Sequence, residues 1–149
     1  MHAVTTSSPP PDSRRAGDLD AVRWIAIPSH ADDRGVLTAI EGGIDIPFEI
    51  RRVYFVHDVR RERGGHAHRD THQVVVAVSG RCEIVLSDGG REARYQLDDI
   101  TRGLYLGPML FIRTGEFAPG TVLASFSSTH YDKTRSIRSW DDYLAAIRP

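Results

Sequence analysis

The 149-residue sequence has a single cysteine, almost no excess charge and no long apolar run. One cysteine, Cys82, can form neither an internal disulfide framework nor a cysteine-rich zinc site. A formal net charge of −1 gives no general attraction to nucleic acid or to an anionic membrane. The apolar stretches are far too short to cross a bilayer, and no signal-peptide pattern opens the chain. We therefore expect a cytoplasmic protein whose partners include neither nucleic acid nor a membrane.

What the sequence does contain is an ordinary globular composition behind a polar N-terminal segment. Hydrophobic residues make up 40% of the chain and charged residues 26%, which suits one domain with a substantial core. Residues 1–17 include two serines and three prolines in a row at positions 7–11 and have almost no apolar side chains. Such a segment cannot offset the entropy lost on ordering. The sequence therefore predicts a disordered tail over residues 1–17 and one domain over residues 18–149.

Short apolar runs separated by turn residues predict that this domain consists mainly of β-strands. The runs that predict strands are residues 22–27, 36–40, 52–56, 81–86, 92–97, 103–106 and 122–126. The polar residues 29–35 predict a loop, and Ser-Asp-Gly-Gly at residues 87–90 is a strong hairpin signal. Eight or more short strands of this kind are typical of a barrel or a sandwich.

Residues 66–78 show the most regular alternation in the sequence. Counting by two gives His66, His68, Asp70, His72, Val74, Val76 and Val78. Successive side chains of a strand point to opposite faces, so one continuous strand would place these histidines and valines on a single face. In a small barrel an inward face lines the interior, which either is filled by side chains or holds one ligand. We therefore expect these histidines to line a cavity.

Only the C-terminus predicts a helix. Its apolar residues fall at i, i+3, i+4 and i+7, namely Trp140, Tyr143, Leu144 and Ile147. Ser139 suits the N-cap position, and Asp141 and Asp142 would lie in the first turn, where the helix dipole favours carboxylates. We expect a short helix that covers one side of the barrel or contributes to a subunit contact.

The segment Arg63-Gly64-Gly65-His66-Ala67-His68 contains the residues most directly suited to chemistry. Two histidines at i and i+2 of a strand lie on one face, with Cα atoms about 6–7 Å apart. That spacing lets two imidazoles bind one metal ion, or places two acid/base groups beside neighbouring carbons of a substrate. Histidine clusters mark functional sites only part of the time. The pair alone therefore leaves a metal site, a proton-transfer site and a structural role open.

Several further segments match one known family together with this pair. They are Arg52-Val53-Tyr54, Gly103-Leu104-Tyr105-Leu106-Gly107-Pro108, and His130-Tyr131-Asp132 followed by Ile137-Arg138. Asp33-Arg34-Gly35 and Ile46-Pro47-Phe48 fit the same pattern. Together these motifs resemble the WxcM-like nucleotide-sugar 3,4-ketoisomerases of the cupin superfamily, which act on dTDP-4-keto-6-deoxyglucose. The resemblance covers nearly everything from Ile25 to Leu144.

The resemblance implies a fold, an activity and an assembly. The implied fold is an all-β cupin, a jelly-roll, RmlC-like antiparallel barrel, with the short helix at its C-terminus. The implied activity is isomerisation of a dTDP-4-keto-6-deoxy-hexose to its 3-keto isomer, with no cofactor and no metal, in deoxyamino-sugar biosynthesis. The substrate is a nucleotide sugar, and two copies of the chain are expected to form a homodimer.

The resemblance also assigns roles to individual residues. A more distant likeness to the dTDP-sugar 3,5-epimerases agrees that His66 is the base that removes the proton beside the ketone. His68 would relay or orient a proton. The candidate substrate-binding residues are Arg63, Arg34, Arg52 and Tyr54, of which the arginines could hold phosphates by forked hydrogen bonds.

Two departures from the family pattern keep alternatives open. At positions 111–112 the sequence has Phe-Ile where many members have a Trp followed by a His or an Arg. A Glu often found soon after the second histidine is replaced by His72, and three histidines at positions 66, 68 and 72 come close to a metal-binding set. The first alternative is therefore a metal-dependent cupin enzyme that uses His66, His68 and His72. The second is a cupin that binds a nucleotide sugar without catalysis.

Overall fold

The computed structural model describes residues 16–148, which form twelve strands and one α-helix. The strands are β1 (Arg23–Ala26), β2 (Ser29–Asp32), β3 (Gly35–Thr38), β4 (Arg52–Val56), β5 (Arg63–His68), β6 (Gln73–Ser79), β7 (Cys82–Ser87), β8 (Glu92–Leu97), β9 (Arg102–Leu106), β10 (Phe111–Gly115), β11 (Val122–Ser127) and β12 (Ser136–Ile137). The helix, α1, spans Trp140–Ile147. Among residues 16–148 no helix is both long and apolar enough to span a membrane.

The predicted tail falls almost entirely outside the described residues. Residues 1–15 are not described, so the structure bears only on the end of the predicted segment. There, the backbone N–H of Gly17 donates a hydrogen bond of 2.6 Å to the carbonyl of Met109. Gly17 therefore packs against the domain.

Ten strands form two five-stranded sheets, and every pairing between them is antiparallel. The first sheet has the order β1-β9-β6-β11-β4, and the second has the order β12-β5-β10-β7-β8. Strands β2 and β3 form a separate two-stranded hairpin. This is the predicted all-β cupin jelly roll, and the hairpin predicted at residues 87–90 joins β7 to β8 as expected.

The main hydrophobic core lies between the two sheets. Its buried side chains come from both of them and include Val75, Leu104 and Leu123 of the first sheet and Ile84, Leu86 and Ile112 of the second. Val74 and Val76 of β6 point to the opposite face of the first sheet, where they pack against Ile27 and Ile46. Strand β6 is therefore buried on both faces, which explains its almost unbroken run of valines.

Residues 66–78 do not form the one continuous strand that would place the histidines and valines on a single face. The chain leaves β5 after His68, turns through residues 69–72 and enters β6, which belongs to the other sheet. The turn is tied to a later segment, because Asp70 forms an ion pair with Arg135. The change of sheet also changes which residues face the cavity. Val75 lines the same cavity as the histidines, whereas Val74 and Val76, which continue the even-numbered series, point to the opposite face of the first sheet.

Three strands, β2, β10 and β12, were not predicted from the sequence, and β12 has only two residues. Strand β2 lies in the polar segment predicted as a loop, and all four of its residues are exposed because it pairs only with β3. Strand β10 combines two buried residues with three more exposed ones, yet it lies between β5 and β7 in the second sheet. Neither β2 nor β10 has the alternation of apolar and polar residues that is typical of a half-buried strand, so the sequence does not predict them as strands.

The predicted C-terminal helix is confirmed. Ser139 is its N-cap, and the Ser139 hydroxyl accepts a hydrogen bond of 3.1 Å from the backbone N–H of Asp142. Tyr143 is fully buried, and its hydroxyl donates to the carbonyl of Met109 at 2.8 Å. Its ring centroid lies 5.3 Å from that of Phe111 on β10. The helix therefore covers the outer face of the second sheet.

Candidate active site

A cavity of about 720 Å³ lies between the two sheets. Its apolar lining includes Val75 and Leu123 of the first sheet and Ile84 and Ile112 of the second. The polar side chains that line it include Arg52, Tyr54, Gln73 and Ser127 of the first sheet and Arg63, His66 and His68 of the second. The cavity therefore brings five of the six predicted site residues together, and both predicted catalytic histidines are among them.

A bulge in β5 aims Arg63 and His66 into the same cavity. These two residues are three apart, yet they pair with residues of β10 that are only two apart. Without the extra residue their side chains would point to opposite faces of the strand. Gly65 within the bulge has a φ of +64°, and a Cβ at this position would lie 2.8 Å from Cζ of Phe111. The two consecutive glycines of the motif thus permit a bend that a larger residue at position 65 would disturb.

The surroundings of His66 and His68 favour the neutral form of both imidazoles. The ring centroids lie 4.9 Å apart with the planes at 79°. Burial lowers the pKa of His66, and the charges of Arg63 and Arg138 lower it further. Burial also lowers the pKa of His68, and with the effects of His66 and Arg52 it falls to about 4. A neutral imidazole has a free nitrogen lone pair and can accept a proton at neutral pH.

Arg52 lies between two tyrosine rings at the wall of the cavity. Its guanidinium carbon is 4.7 Å from the ring centroid of Tyr54 and 4.8 Å from that of Tyr131. Such cation–π contacts orient the guanidinium plane and leave its N–H groups free to meet an anion. Tyr131 is a site residue to which the sequence analysis gave no role, although the motif that contains it supported the family resemblance.

Arginines outnumber carboxylates around the cavity. The arginines that line it are Arg52, Arg60, Arg61, Arg63, Arg135 and Arg138, and the carboxylates are Asp58, Glu62 and Asp132. An excess of positive charge around a cleft attracts anionic ligands such as phosphates. Only Arg52 and Arg63 were candidates from the sequence. The other arginines come from three connecting segments, between β4 and β5, between β11 and β12 and between β12 and α1, which meet only in the folded chain.

Two predicted residues lie outside this cavity. Arg34 is in the turn between β2 and β3, where its side chain is 86% exposed and forms an ion pair of 2.6 Å with Asp32. His72 is the last residue of the turn between β5 and β6, and its Nδ1 lies 2.7 Å from the hydroxyl of Tyr105. The three-histidine set of the metal-dependent alternative is therefore not assembled. Within residues 16–148 no group of three His, Cys, Asp or Glu side chains is placed to hold a metal ion.

Three polar atoms of the cavity wall are buried without a hydrogen-bond partner in the described part of the chain. They are Nε2 of His68, Nε2 of Gln73 and Oγ of Ser127. Gln73 and Ser127 were not predicted as site residues, because one glutamine or serine within a strand carries no signal of a site. Their importance becomes visible only when the pairing of β6 with β11 is known.

Comparisons with known sequences identify relatives over most of the chain. The family model described as "FdtA: WxcM-like, C-terminal" matches residues 20–148. The TDP-4-oxo-6-deoxy-alpha-D-glucose-3,4-oxoisomerase of Aneurinibacillus thermoaerophilus is 40% identical over 118 residues, which are 78% of this chain and 85% of the relative.

Solved structures of similar sequence have the same fold. QdtA, a sugar 3,4-ketoisomerase from Thermoanaerobacterium thermosaccharolyticum solved in complex with TDP, superposes with a TM-score of 0.83 at 39% identity, covering 87% of this chain and 96% of that chain. A point mutant of QdtA in complex with TDP-4-keto-6-deoxyglucose gives a TM-score of 0.81 at 38% identity, covering 85% of this chain and 93% of that chain. With the family match, the cupin fold and the paired histidines in one cavity, the chain belongs to the FdtA/WxcM-like family.

Proposed function

We propose that the protein is a sugar 3,4-ketoisomerase that converts a TDP-4-keto-6-deoxy-hexose to its 3-keto isomer. The observation that carries this proposal is the pair of adjacent imidazoles, His66 and His68, in a cavity lined by arginines, where burial lowers the pKa of both histidines. Relatives named as 3,4-oxoisomerase and 3,4-ketoisomerase support it, and one of them was solved with TDP-4-keto-6-deoxyglucose. A ketone at C3 is the group that an aminating enzyme needs, so we place the reaction in deoxyamino-sugar biosynthesis.

His66 is the proposed base. The C4 ketone acidifies the proton on C3, and the neutral imidazole of His66 accepts that proton while the C3–H electrons form a C3–C4 double bond. The negative charge moves to the oxygen on C4. A proton is then delivered to C4, and the hydroxyl proton on C3 passes to the C4 oxygen, which leaves a ketone at C3. His68, whose ring meets His66 edge to face, is proposed to relay or orient the transferred proton.

Arg63 and Arg52 are proposed to bind the nucleotide diphosphate. Both line the cavity, and a guanidinium can make two parallel hydrogen bonds to one phosphate. Tyr54 holds Arg52 in position through the contact of its ring with the guanidinium. Binding energy from these groups, which do not react, would position C3 beside His66. Arg34 has no part in this proposal, because its side chain pairs with Asp32 outside the cavity.

The test is hydrogen exchange at C3 in heavy water with TDP-4-keto-6-deoxyglucose, followed by NMR of the sugar ring. The wild type should incorporate deuterium as the 3-keto isomer forms. His66→Asn keeps a similar size but cannot accept a proton, so exchange should fall by at least about 10²–10⁴-fold while TDP binding persists. His68→Asn should lose turnover and retain C3 exchange. Exchange at the wild-type rate in His66→Asn would show that another group is the base.

The two alternative functions make different predictions for the same protein. A metal-dependent cupin should lose activity on prolonged chelation and regain it when the metal is returned, whereas the proposed isomerase should not respond. The position of His72 beside Tyr105 argues against that alternative. A cupin that only binds nucleotide sugars should bind TDP but give no deuterium at C3.

We further propose that the protein acts in the cytoplasm as a homodimer. Val36 and Leu37 of the β2–β3 hairpin are 67% and 62% exposed. Val53 and Phe55 of β4, an edge strand of the first sheet, are 43% and 59% exposed. Exposed apolar residues on a projecting hairpin and on a sheet edge are typical of surfaces that associate. A second copy of the chain would cover them.

A further inference from the structure

Three polar side chains form a row across the inner face of the first sheet. Ser127 of β11 pairs directly with Arg52 of β4 on one side and with Gln73 of β6 on the other. Residues directly opposite each other in a sheet point to the same face, and all three side chains line the cavity. The row lines the same cavity as His66 and His68, which lie on the opposite sheet.

Two members of this row are buried without a partner. Gln73 is 2% exposed and Ser127 is 1% exposed, and neither Gln73 Nε2 nor Ser127 Oγ meets a hydrogen-bond partner within residues 16–148. A buried polar atom without a partner destabilises a fold, so proteins seldom retain one unless a ligand or water completes it. Nε2 of His68, on the other wall of the cavity, is also buried without a hydrogen-bond partner in the described part of the chain. The cavity therefore has unused hydrogen-bonding groups on both walls, as a ligand with several oxygens requires.

The reacting part of a 4-keto-6-deoxy sugar presents oxygens of two kinds on neighbouring carbons. The ketone oxygen on C4 can only accept hydrogen bonds, and it gains negative charge when the C3 proton leaves. The amide nitrogen of Gln73 can only donate, which suits that oxygen. The hydroxyl on C3 must give up its proton, and the hydroxyl of Ser127 can both donate and accept. Neighbouring strands lie about 4.8 Å apart, so two side chains paired across them can reach oxygens on adjacent carbons.

We propose that Gln73 donates a hydrogen bond to the ketone oxygen on C4 and that Ser127 binds the neighbouring hydroxyl on C3. When His66 takes the C3 proton, the charge that develops on the C4 oxygen lies against the amide N–H of Gln73. A donor already in place stabilises this charge more than it stabilises the neutral ketone, and so it accelerates proton removal. Nearby Ile84 and Ile112 make part of the lining apolar, which strengthens such a hydrogen bond. This assignment rests on the proposed isomerase function.

The test compares Gln73→Leu and Ser127→Ala with Gln96→Leu, which makes the same substitution at an exposed position of β8. Four quantities are measured for each variant: C3 deuterium exchange, turnover, TDP affinity and melting temperature. Gln73→Leu should reduce exchange and turnover together by about 10²–10³-fold, the usual effect of removing one donor to a developing oxyanion. Ser127→Ala should reduce turnover by about tenfold. TDP affinity should stay at the wild-type level, and the melting temperature should not fall, because each substitution removes a buried polar atom that has no partner. Gln96→Leu should change none of the four.

A third variant separates the role of the donor from that of side-chain shape. Gln73→Glu keeps the shape, but its carboxylate repels the developing charge, so exchange at alkaline pH should be as low as in Gln73→Leu. Mildly acidic pH should restore part of the exchange, because the protonated acid regains an O–H donor. A residue needed only for packing would show no such recovery.

The outcomes distinguish this inference from the function on which it rests. Absence of C3 exchange in the wild type would overturn the proposed isomerase function itself. Wild-type exchange in Gln73→Leu, while the wild type is active, would overturn only the role of Gln73. Loss of TDP affinity or of melting temperature in Gln73→Leu, without acid recovery in Gln73→Glu, would also overturn it.

Discussion

His68 is buried as a neutral base, and this placement makes the stability of the protein depend on pH. In the folded protein its pKa is about 4, whereas the unfolded value is near 6.5. Between these values the unfolded chain binds more protons, so the free energy of unfolding should fall as the pH drops from 6.5 towards 4, by roughly 3 kcal/mol. Above pH 6.5 the contribution is fully present. Urea unfolding at several pH values measures it, and His68→Asn should lose most of this acid sensitivity.

An equal acid sensitivity in His68→Asn would contradict that explanation. It would place the loss of stability in other groups, such as His66, whose pKa burial also lowers. The melting temperature above pH 7 serves as the control. There both histidines are neutral, so the wild type and the variant should respond to pH alike.

At the scale of single residues, the site residues with distinctive side-chain chemistry could be proposed from the sequence. The residues whose role depends on their neighbours in the fold could not. The His-x-His pair and the arginine beside it stand out because they form one short motif, and the family resemblance assigns that motif a role. Tyr131 becomes part of the site only by stacking on Arg52, and Gln73 only by pairing with Ser127. These contacts join residues more than fifty positions apart, and no local pattern records them.

At the scale of elements, the bulge in β5 is the feature most sensitive to a single substitution. Gly65→Ala must adopt a φ of +64° with its Cβ 2.8 Å from Cζ of Phe111. We expect the free energy of unfolding to fall by about 1–3 kcal/mol, and turnover to fall because Arg63 and His66 no longer point into one cavity. Chemical denaturation and the isomerase assay measure the two effects.

Gly120→Ala is the matched control for this substitution. Gly120 has a φ of +76°, but a Cβ there would meet nothing within 4 Å. It should therefore show the loss of stability that comes from backbone strain and keep its activity. Full activity in Gly65→Ala would mean that the bulge does not position the site.

Strands were predictable from the sequence wherever one of their faces is buried. The runs at residues 52–56 and 92–97 match β4 and β8 to the residue, because both strands alternate between exposed and more buried positions. The prediction failed at residues 69–72, where a turn anchored by Asp70 and Arg135 carries the chain to the other sheet. Valines continue the apparent alternation after the turn only because β6 is buried on both faces.

At the scale of the whole molecule, the exposed β2–β3 hairpin predicts a homodimer interface that a single substitution can disrupt. Leu37 is 62% exposed on β3, and a charge there should prevent a second copy from covering the hairpin. We expect wild-type protein to be a dimer by light scattering and Leu37→Asp to be a monomer that remains folded. Ile100→Asp, a similar change at a 39% exposed apolar residue before β9, should stay dimeric. A monomeric wild type, or a dimeric Leu37→Asp, would contradict the proposed interface.

The β-strand fold of the described residues was predictable because turn residues recur at short intervals, whereas the shape of the cavity was not. Its lining comes from both sheets and from the loops at residues 57–62 and 130–135. Which strands become neighbours is decided by the packing of the complete core. Arg34 is an example of a residue whose position relative to the cavity could not be predicted from its motif. The motif fits the family, but the Arg34 side chain lies away from the cavity.

The arginines around the cavity act over distances longer than any hydrogen bond. Their combined field extends about 8 Å into solvent at physiological ionic strength and shortens as salt is added. The rate at which a diphosphate ligand arrives should therefore decrease in concentrated salt, whereas proton transfer inside the cavity is sheltered from mobile ions. In such conditions KM would rise while kcat stays constant. At substrate concentrations below KM, the rate of turnover would then be limited by the encounter with the nucleotide sugar and not by proton transfer.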